Sequence, residues 1–333
     1  MKTLIIGAGP LGSLYTYLFH KAGHDVSLLA RNEHYTYLEE NGLTLINEFT
    51  NEKINAGVKI TNKLDKEDEY DLVIVLVRKN SLEKIIPLLA NAANVKHILF
   101  MGNNALGYKE YLEVIPSHKI LFGFPGGGGS RIDHVVHYID SEKPGGKRIP
   151  VVIGEIDGKV RERTTQIVEL FESAEIPVKI IDDMDGWLKY HAIFVQPLAC
   201  ALIEAGDNYK LSKNPAVIRK YIRSVKEGIK ILKALGYKKS YNPKLDLIRI
   251  MPEGLTIKIL QKVFDSKFSE VAMMMHVNAA KDEMIELGDE ILHFRERAGV
   301  DTPYLNSLIN SIKVNLVNKM KKVLAAGAAE YLG

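Results

Sequence analysis

The stretch "TLIIGAGPLGSLYTYLFHKAGHDVSLLAR", residues 3–31, decides the fold. Leu4–Ile6 is a short apolar run of the kind a buried parallel strand needs. Gly7, Gly9 and Gly12 follow in G-x-G-x-x-G spacing, with Pro10 and Leu11 inside the motif. Leu14, Leu18 and Phe19 then recur at helical spacing, Gly23 ends the helix, and "DVSLLA" is a second strand. Each glycine has a physical task. Gly7 allows the tight turn, Gly9 lets the backbone approach a pyrophosphate, and Gly12 lets the helix pack close on the sheet. The pyrophosphate sits at the helix N-terminus, where free N–H groups and the dipole favour negative charge. In strand–turn–helix–strand context the motif predicts a dinucleotide-binding unit at residues Gly7, Gly9, Pro10, Leu11 and Gly12.

The strand ends on Arg31, 19 residues after Gly12, where an NAD-type site would carry an acid for the ribose 2′-hydroxyl. A guanidinium offers planar donors suited to a phosphate. The predicted cofactor is therefore NADP(H), with Asn32 a second donor. Further along, "YDLVIVLV" is continuous and apolar, which places it centrally in the sheet, and it ends in Arg78, Lys79 and Asn80. Open α/β sheets bind ligands at the carboxyl ends of their strands, so Arg78 and Lys79 are candidate cofactor contacts. "HILFMGNNALG" brings Asn103 and Asn104 to the same edge, to hold a nicotinamide or a substrate oxygen, or simply to form the turn. "KILFGFPGGGGSR" is another strand, and its glycines, Gly126 to Gly129, suit either a close ligand or a mobile loop. "PVVIGEIDG" and "PVKIID" complete the domain, with "EIDG" a turn.

From "DDMDGWLKYHAIF" onward strand signals fade. Amphipathic helices are predicted over about 184–205, 213–236, 253–261 and 268–298, with a last segment from about 303. Asp185 and Gly186 mark a helix start, and "NKMKKVLAAGAAEYLG" reads as a helix packing on the domain or on a partner. The fold class is α/β: a Rossmann-type parallel-sheet domain over 1–181, then an all-helical domain over 182–333 for the substrate. Lys189 lies early in the first of these helices. Glu283, Glu286 and Asp289 lie in "KDEMIELGDE", where 283 and 286 share a helix face; on their own both features read as solvated surface. Met273 to Met275 read as core packing.

The chain has 333 residues, 46% hydrophobic and 26% charged, enough for two folded domains. A net charge of +3 with no long basic run argues against a nucleic-acid partner. The single cysteine, Cys200, sits in the apolar run "PLACALI" and reads as a buried structural residue in a reducing compartment. No signal peptide is visible, and no apolar run approaches the roughly 18 residues a bilayer span requires. A cytoplasmic protein without membrane partner or metal site is expected.

At this point the sequence resembles the ketopantoate reductase (2-dehydropantoate 2-reductase) family. The resemblance rests on "GAGPLGSLY…AGHDVSLLAR", "GNNALG", "VIGEIDG", "GWLKYHAIFVQPLACAL" and "AGVDTPYLNSL". It implies NADPH-dependent reduction of a small 2-oxo acid, with ketopantoate the default substrate, giving pantoate for pantothenate biosynthesis. It implies that Lys189 is the catalytic lysine, Asn104 the residue that positions cofactor and substrate, and Glu283 the substrate-binding glutamate, with Arg78 at a cofactor-contacting lysine position. A homodimer through the helical domain rests on the resemblance alone. Departures lie on the substrate side. Ala192 or Ile193, and Gln196, stand where the family has asparagines. "SEVAMMMHVNAAKDE", with Asn278, replaces a serine-rich segment, Ala105 replaces a glycine, and Gly288 follows Glu283 by five residues, not six, which leaves Glu286 a rival to Glu283. These changes point to a different keto acid, an aldehyde or an imine as alternative substrates. A non-catalytic NADP(H) sensor is the reading from a different class, and Lys189 argues against it.

Overall fold

The computed structural model describes residues 1–312. The eight-stranded sheet runs in the order β12-β11-β8-β7-β6-β1-β2-β5. Its strands are β1 (Thr3–Ile6), β2 (Val26–Leu29), β5 (Lys59–Thr61), β6 (Tyr70–Val75), β7 (Val95–Met101), β8 (Ile120–Phe124), β11 (Val151–Gly154) and β12 (Val178–Ile180). All pairings are parallel except β8 with β11. Crossover helices include α1 (Pro10–Lys21), α2 (Asn32–Asn41), α3 (Leu82–Asn91) and α5 (Glu162–Ser173), with α4 (Lys109–Leu112) a single turn. Alternate residues feed two cores, as the two-residue strand period requires. Ile5, Leu28, Ile74, Leu99 and Leu121 belong to one core; Leu4, Ile6, Leu29, Val73 and Ile98 belong to the other.

A second sheet was not foreseen from the sequence. It has the order β4-β3-β10-β9, built from β3 (Leu43–Asn47), β4 (Lys53–Ala56), β9 (Gly128–Ile132) and β10 (Val135–Ile139). The glycine run feeds this sheet and is packed tightly against neighbouring backbone. A Cβ on Gly126 would lie 2.0 Å from the Ile149 carbonyl oxygen, and one on Gly129 would lie 2.1 Å from that of His137. Gly128 brings the chain against Ala272, whose Cα would be 2.6 Å from a Cβ there. Backbone packing therefore demands glycine at these positions.

The described residues divide into two compact units, Met1–Leu188 with Val271–Ala280, and Lys189–Glu270 with residues 281–312. The dividing point falls within one helix, α6 (Met184–Ala205), whose first turn is capped by Asp183: its Oδ1 accepts from the Gly186 N–H at 2.8 Å. The cap thus lies two residues before the Asp185 expected to start the helix. The second unit adds α7 (Asn208–Ser212), α8 (Pro215–Ala234), α9 (Pro243–Ile250) and α10 (Glu253–Phe264). The single helix expected over 268–298 is broken. Ser269–Met275 is π-helical, α11 (His276–Ala279) follows, Ala280 leaves helical geometry at φ −129° and ψ 38°, and α12 (Lys281–Ala298) resumes. The break follows from packing, since Val271–Ala280 lies with the first unit, where Ala272 meets Gly128 and the Ser130 hydroxyl donates to Met275 Sδ. Residues 303–312 are helical, and the segment "NKMKKVLAAGAAEYLG" lies outside the described residues.

Candidate functional site

The parallel register brings several loops to one edge of the sheet. Ile6 is paired with Leu29 and with Val75, and Val75 with Phe100. Gly7, Arg31, Arg78 and Asn104 therefore leave their strands on the same side, the carboxyl side where open sheets hold ligands.

The three glycines of the turn divide by task. Gly7 has φ +119°, and a Cβ on it would lie 2.3 Å from the Leu76 carbonyl oxygen. A Cβ on Gly12 would lie 2.0 Å from the Gly7 carbonyl oxygen, which is the close helix–strand approach expected of the third glycine. Gly9 differs: it is the N-cap of α1, and a Cβ there would meet nothing within 4 Å. Open space beside a helix N-terminus suits a pyrophosphate. Pro10 follows at the first helical position, where its missing N–H costs nothing. Leu11 packs towards Gly127, 3.2 Å from where a Cβ would stand.

Arg31 is the N-cap of α2 in extended geometry and is exposed, with no hydrogen bond or ion pair to its side chain among the described residues. Asn32 adopts φ 53°, a left-handed conformation asparagine tolerates. Arg78 is exposed, whereas Lys79 is buried at the start of a 3₁₀ turn. Asn104 is buried in the loop after β7; its Oδ1 accepts from the Gly107 N–H at 3.1 Å, while Nδ2 is buried without a hydrogen-bond partner. A buried amide donor of that kind is costly unless a ligand acceptor meets it. Asn103 beside it is also buried.

In the second unit, Lys189 is only 5% exposed. Its ammonium lies 5.1 Å from the Tyr237 ring centroid and 5.7 Å from that of Phe294. A lysine carried this far inside is unusual for a structural residue. Tyr190 next door anchors the same segment, donating its hydroxyl to the Tyr237 carbonyl at 2.7 Å. Burial also separates the rival carboxylates: Glu283 is buried, Glu286 is half-exposed and Asp289 is exposed. Glu290, which the sequence reading did not select, is buried as well. Helical spacing sets Glu283, Leu287, Glu290 and Phe294 on one face of α12, and all four are buried.

Two of the motif departures lie inside packing. Gln196 is fully buried, its Nε2 donating to Cys200 Sγ at 3.2 Å, and it fills the space beside Gly288, where a Cβ would come within 2.8 Å of that nitrogen. Cys200 is buried, and burial pushes its thiol up to about 12, so it is no nucleophile. The "VIGEIDG" motif proves to be scaffold: buried Glu155 accepts from Arg163 and from the Thr164 hydroxyl, and Arg163 in turn donates to the His118 and Ile120 carbonyls.

Sequence reasoning missed a cluster beside the glycine turn. Arg131, on β9, donates from Nη1 to the Ala8 carbonyl at 2.8 Å. His34, on α2, lies Nδ1 to Nδ1 at 3.0 Å from His134 in the β9–β10 turn. The only local signal was a lone arginine closing "GGGGSR".

Residues 3–142 match the model of the family described as "Ketopantoate reductase PanE/ApbA". Through that region the chain is similar to the ketopantoate reductase family. Its members are oxidoreductases acting on CH–OH groups, and the chain is an oxidoreductase of the ketopantoate reductase type. A 2-dehydropantoate 2-reductase of Pyrococcus horikoshii is 25% identical over 276 residues, covering 81% of this chain and 87% of the relative. The fold is similar to that of a putative ketopantoate reductase from Ralstonia solanacearum, with a TM-score of 0.75 at 16% identity, covering 95% of this chain and 98% of the other. It is also similar to that of a D-mandelate dehydrogenase solved with NADH and anilino(oxo)acetate, with a TM-score of 0.74 at 19% identity and the same coverage of each chain. Among the described residues, no helix is long and apolar enough to cross a membrane.

Proposed function

We propose that the protein reduces the ketone of a small 2-oxo acid to the 2-hydroxy acid with NADPH, and that ketopantoate is the default substrate. The observation that carries this reading is Lys189, a lysine buried to 5% exposure in the helix that resembles the family's catalytic segment. Reduction builds negative charge on the ketone oxygen. In this reading the Lys189 ammonium stabilises that charge and donates the proton. Glu283, buried on α12, orients the ammonium or receives a substrate hydroxyl. The unpartnered Asn104 Nδ2 donates to a carboxamide or substrate oxygen and fixes its orientation.

The turn fits a dinucleotide. The space at Gly9 and the N-terminus of α1 suit the pyrophosphate, and Arg31, without a carboxylate partner, suits a 2′-phosphate. Gly7, Pro10, Leu11 and Gly12 shape that turn, while Asn32, Arg78 and Lys79 supply further donors around it. When bound, the nicotinamide supplies the hydride.

A second reading keeps the reaction and changes the acid. Gln196, where the family has a substrate-side asparagine, is packed against Gly288 and Cys200. The likeness in fold to D-mandelate dehydrogenase makes an aromatic 2-oxo acid the natural alternative. Loss of NADPH absorbance with ketopantoate, phenylglyoxylate and a panel of other 2-oxo acids, with NADH run in parallel, separates the two. Fast turnover of ketopantoate with NADPH is the expected result. Tight NADPH binding with no 2-oxo acid turned over would defeat both readings.

A further inference from the structure

The first unit concentrates positive charge beside the glycine turn, and the sources come from three different segments. Arg31 caps α2, Arg78 follows β6, and Arg131 projects from β9 of the second sheet. Arg131 is near enough to Arg78 for its charge to act there: burial first, and then Arg78, hold the Arg131 pKa below the ordinary arginine value. Neither Arg31 nor Arg131 has a carboxylate within ion-pair distance among the described residues. Among the described residues, the single hydrogen bond of the Arg131 guanidinium is to the Ala8 carbonyl at 2.8 Å, inside the glycine turn, which leaves four of its five N–H groups for another acceptor. Like charges gathered in this way repel one another, and a bound dianion offsets that repulsion.

His34 supplies an independent observation. It is 6% exposed, and its Nε2 is buried with no hydrogen-bond partner. The ring lies among Ala8, Arg131 and His134, all of which act on its protonation. Its Nδ1 faces His134 Nδ1 at 3.0 Å, so one of these nitrogens donates and the other accepts. With His134 the donor, His34 carries its proton on Nε2, and the Ala8 carbonyl is an acceptor near the ring. His34 sits three residues after Arg31, one turn along the same face of α2. The β9–β10 turn is held in place by a pile of rings: His134 stacks on His34 with centroids 5.2 Å apart and on Tyr37 at 4.4 Å. Asp133 and His134 both adopt left-handed φ, 45° and 69°, as a tight hairpin turn demands. The pile thus fixes β9, and with it Arg131, against α2.

We propose that Arg131 and His34 complete the subsite for the 2′-phosphate of the adenine ribose, so that the preference for a phosphorylated dinucleotide is set jointly by Arg31 and by the second sheet. The inference rests on the NADPH reading above. In that reading the pyrophosphate takes the N-terminus of α1, whereas His34, which the Arg131 charge reaches, lies on α2 one turn after Arg31. The phosphate monoester therefore fits these residues better than the diester bridge.

Calorimetric titration of the full chain with adenosine 2′,5′-bisphosphate, ADP, NADPH and NADH tests this. Arg131→Met should weaken adenosine 2′,5′-bisphosphate and NADPH by about 10- to 100-fold, the scale of a charged hydrogen bond to phosphate. ADP and NADH should change less than about twofold on that scale. Arg131→Lys should recover part of the loss, and His34→Phe, which keeps the ring stack, should give a smaller loss of the same selectivity. A melting temperature equal to wild type excludes misfolding as the cause. If wild type prefers NADPH and Arg131→Met keeps the full preference, the inference is overturned while the NADPH reading stands. If wild type binds NADPH and NADH equally, the NADPH reading fails and the inference with it. Equal weakening of ADP and of the 2′,5′-bisphosphate would move Arg131 to the pyrophosphate and also overturn the proposal.

Discussion

At the turn after β1 the side chains are missing and the backbone prepares the site; along α6 the backbone is closed into a helix and one ammonium is carried inside. Gly7 and Gly12 leave no room for a Cβ, while Gly9 opens onto space. Lys189 does the reverse: its side chain brings the ammonium near the Tyr237 and Phe294 rings, a charge carried to a nearly closed position. The contrast teaches which kind of residue can be exchanged in each region. At the turn almost any added atom is harmful, and the damage is steric. On α6 the stem can be replaced, and the damage is chemical.

The sharpest break of that comparison is Lys189→Met. Methionine keeps an unbranched stem against the two rings and removes the charge. In the proposed reaction turnover should fall about 10²- to 10⁴-fold, the range for a positioned proton donor, while NADPH affinity and melting temperature stay near wild type. Steady-state kinetics beside a binding titration checks this, and turnover within a few-fold of wild type would remove Lys189 from the mechanism.

The next effect separates two glycines. Gly12→Ala places a methyl 2.0 Å from the Gly7 carbonyl oxygen, a backbone atom that cannot move aside, and should destabilise the fold by about 3 kcal/mol or more. Gly9→Ala meets nothing within 4 Å and should melt like wild type, yet bind dinucleotide less well, because its methyl enters the space left for the pyrophosphate. Urea unfolding and cofactor titration of the two variants would decide it. If Gly9→Ala binds normally, the open space at Gly9 is not where the cofactor lies.

The same contrast explains what could be read from the sequence. Strands β1, β2, β6, β7 and β8 are apolar runs bounded by turns, and each is recognisable from its own residues. The second sheet is not. Lys53–Ala56 is half-exposed and polar, Gly128–Ile132 opens on two glycines, and β3 pairs with β10 about ninety residues away, so no local pattern marks any of these strands. Arg131 and His34 were missed for that reason, since only the pairing of distant segments brings them to Ala8. The place of Arg31 just past the strand end was legible because the βαβ unit is local and that end falls at a known distance from the glycines. The helical half was legible in its periodicity but not in its interruption at Ala280, where neither glycine nor proline marks the break and the cause is the distant contact of Ala272 with Gly128.

The smallest expected effect concerns His34 and works through the proton. Burial, then the charges of Arg131 and His134, push its pKa from 6.5 down to about 4, with the Ala8 carbonyl acting the other way. The folded chain therefore refuses a proton that the unfolded chain accepts. Above the unfolded value both states are neutral and nothing is lost. As pH falls from about 6.5 towards 4 the unfolded state takes up the proton first, so stability declines across that window, by about 2 kcal/mol once the remaining solvent screening is allowed for. Wild type should lose this increment between about pH 7 and pH 5 in part and the rest below, while His34→Phe should lack it and show a flatter profile in urea unfolding. Cofactor should shift the same window. A 2′-phosphate beside His34 favours the imidazolium, so NADPH should protect the wild-type fold more strongly, relative to NADH, at the acid end of the range than at neutrality. A pH profile of wild type that superimposes on that of His34→Phe would mean that His34 takes up its proton in the folded chain as readily as in the unfolded one, and that its burial beside Ala8 does not hold the imidazole neutral.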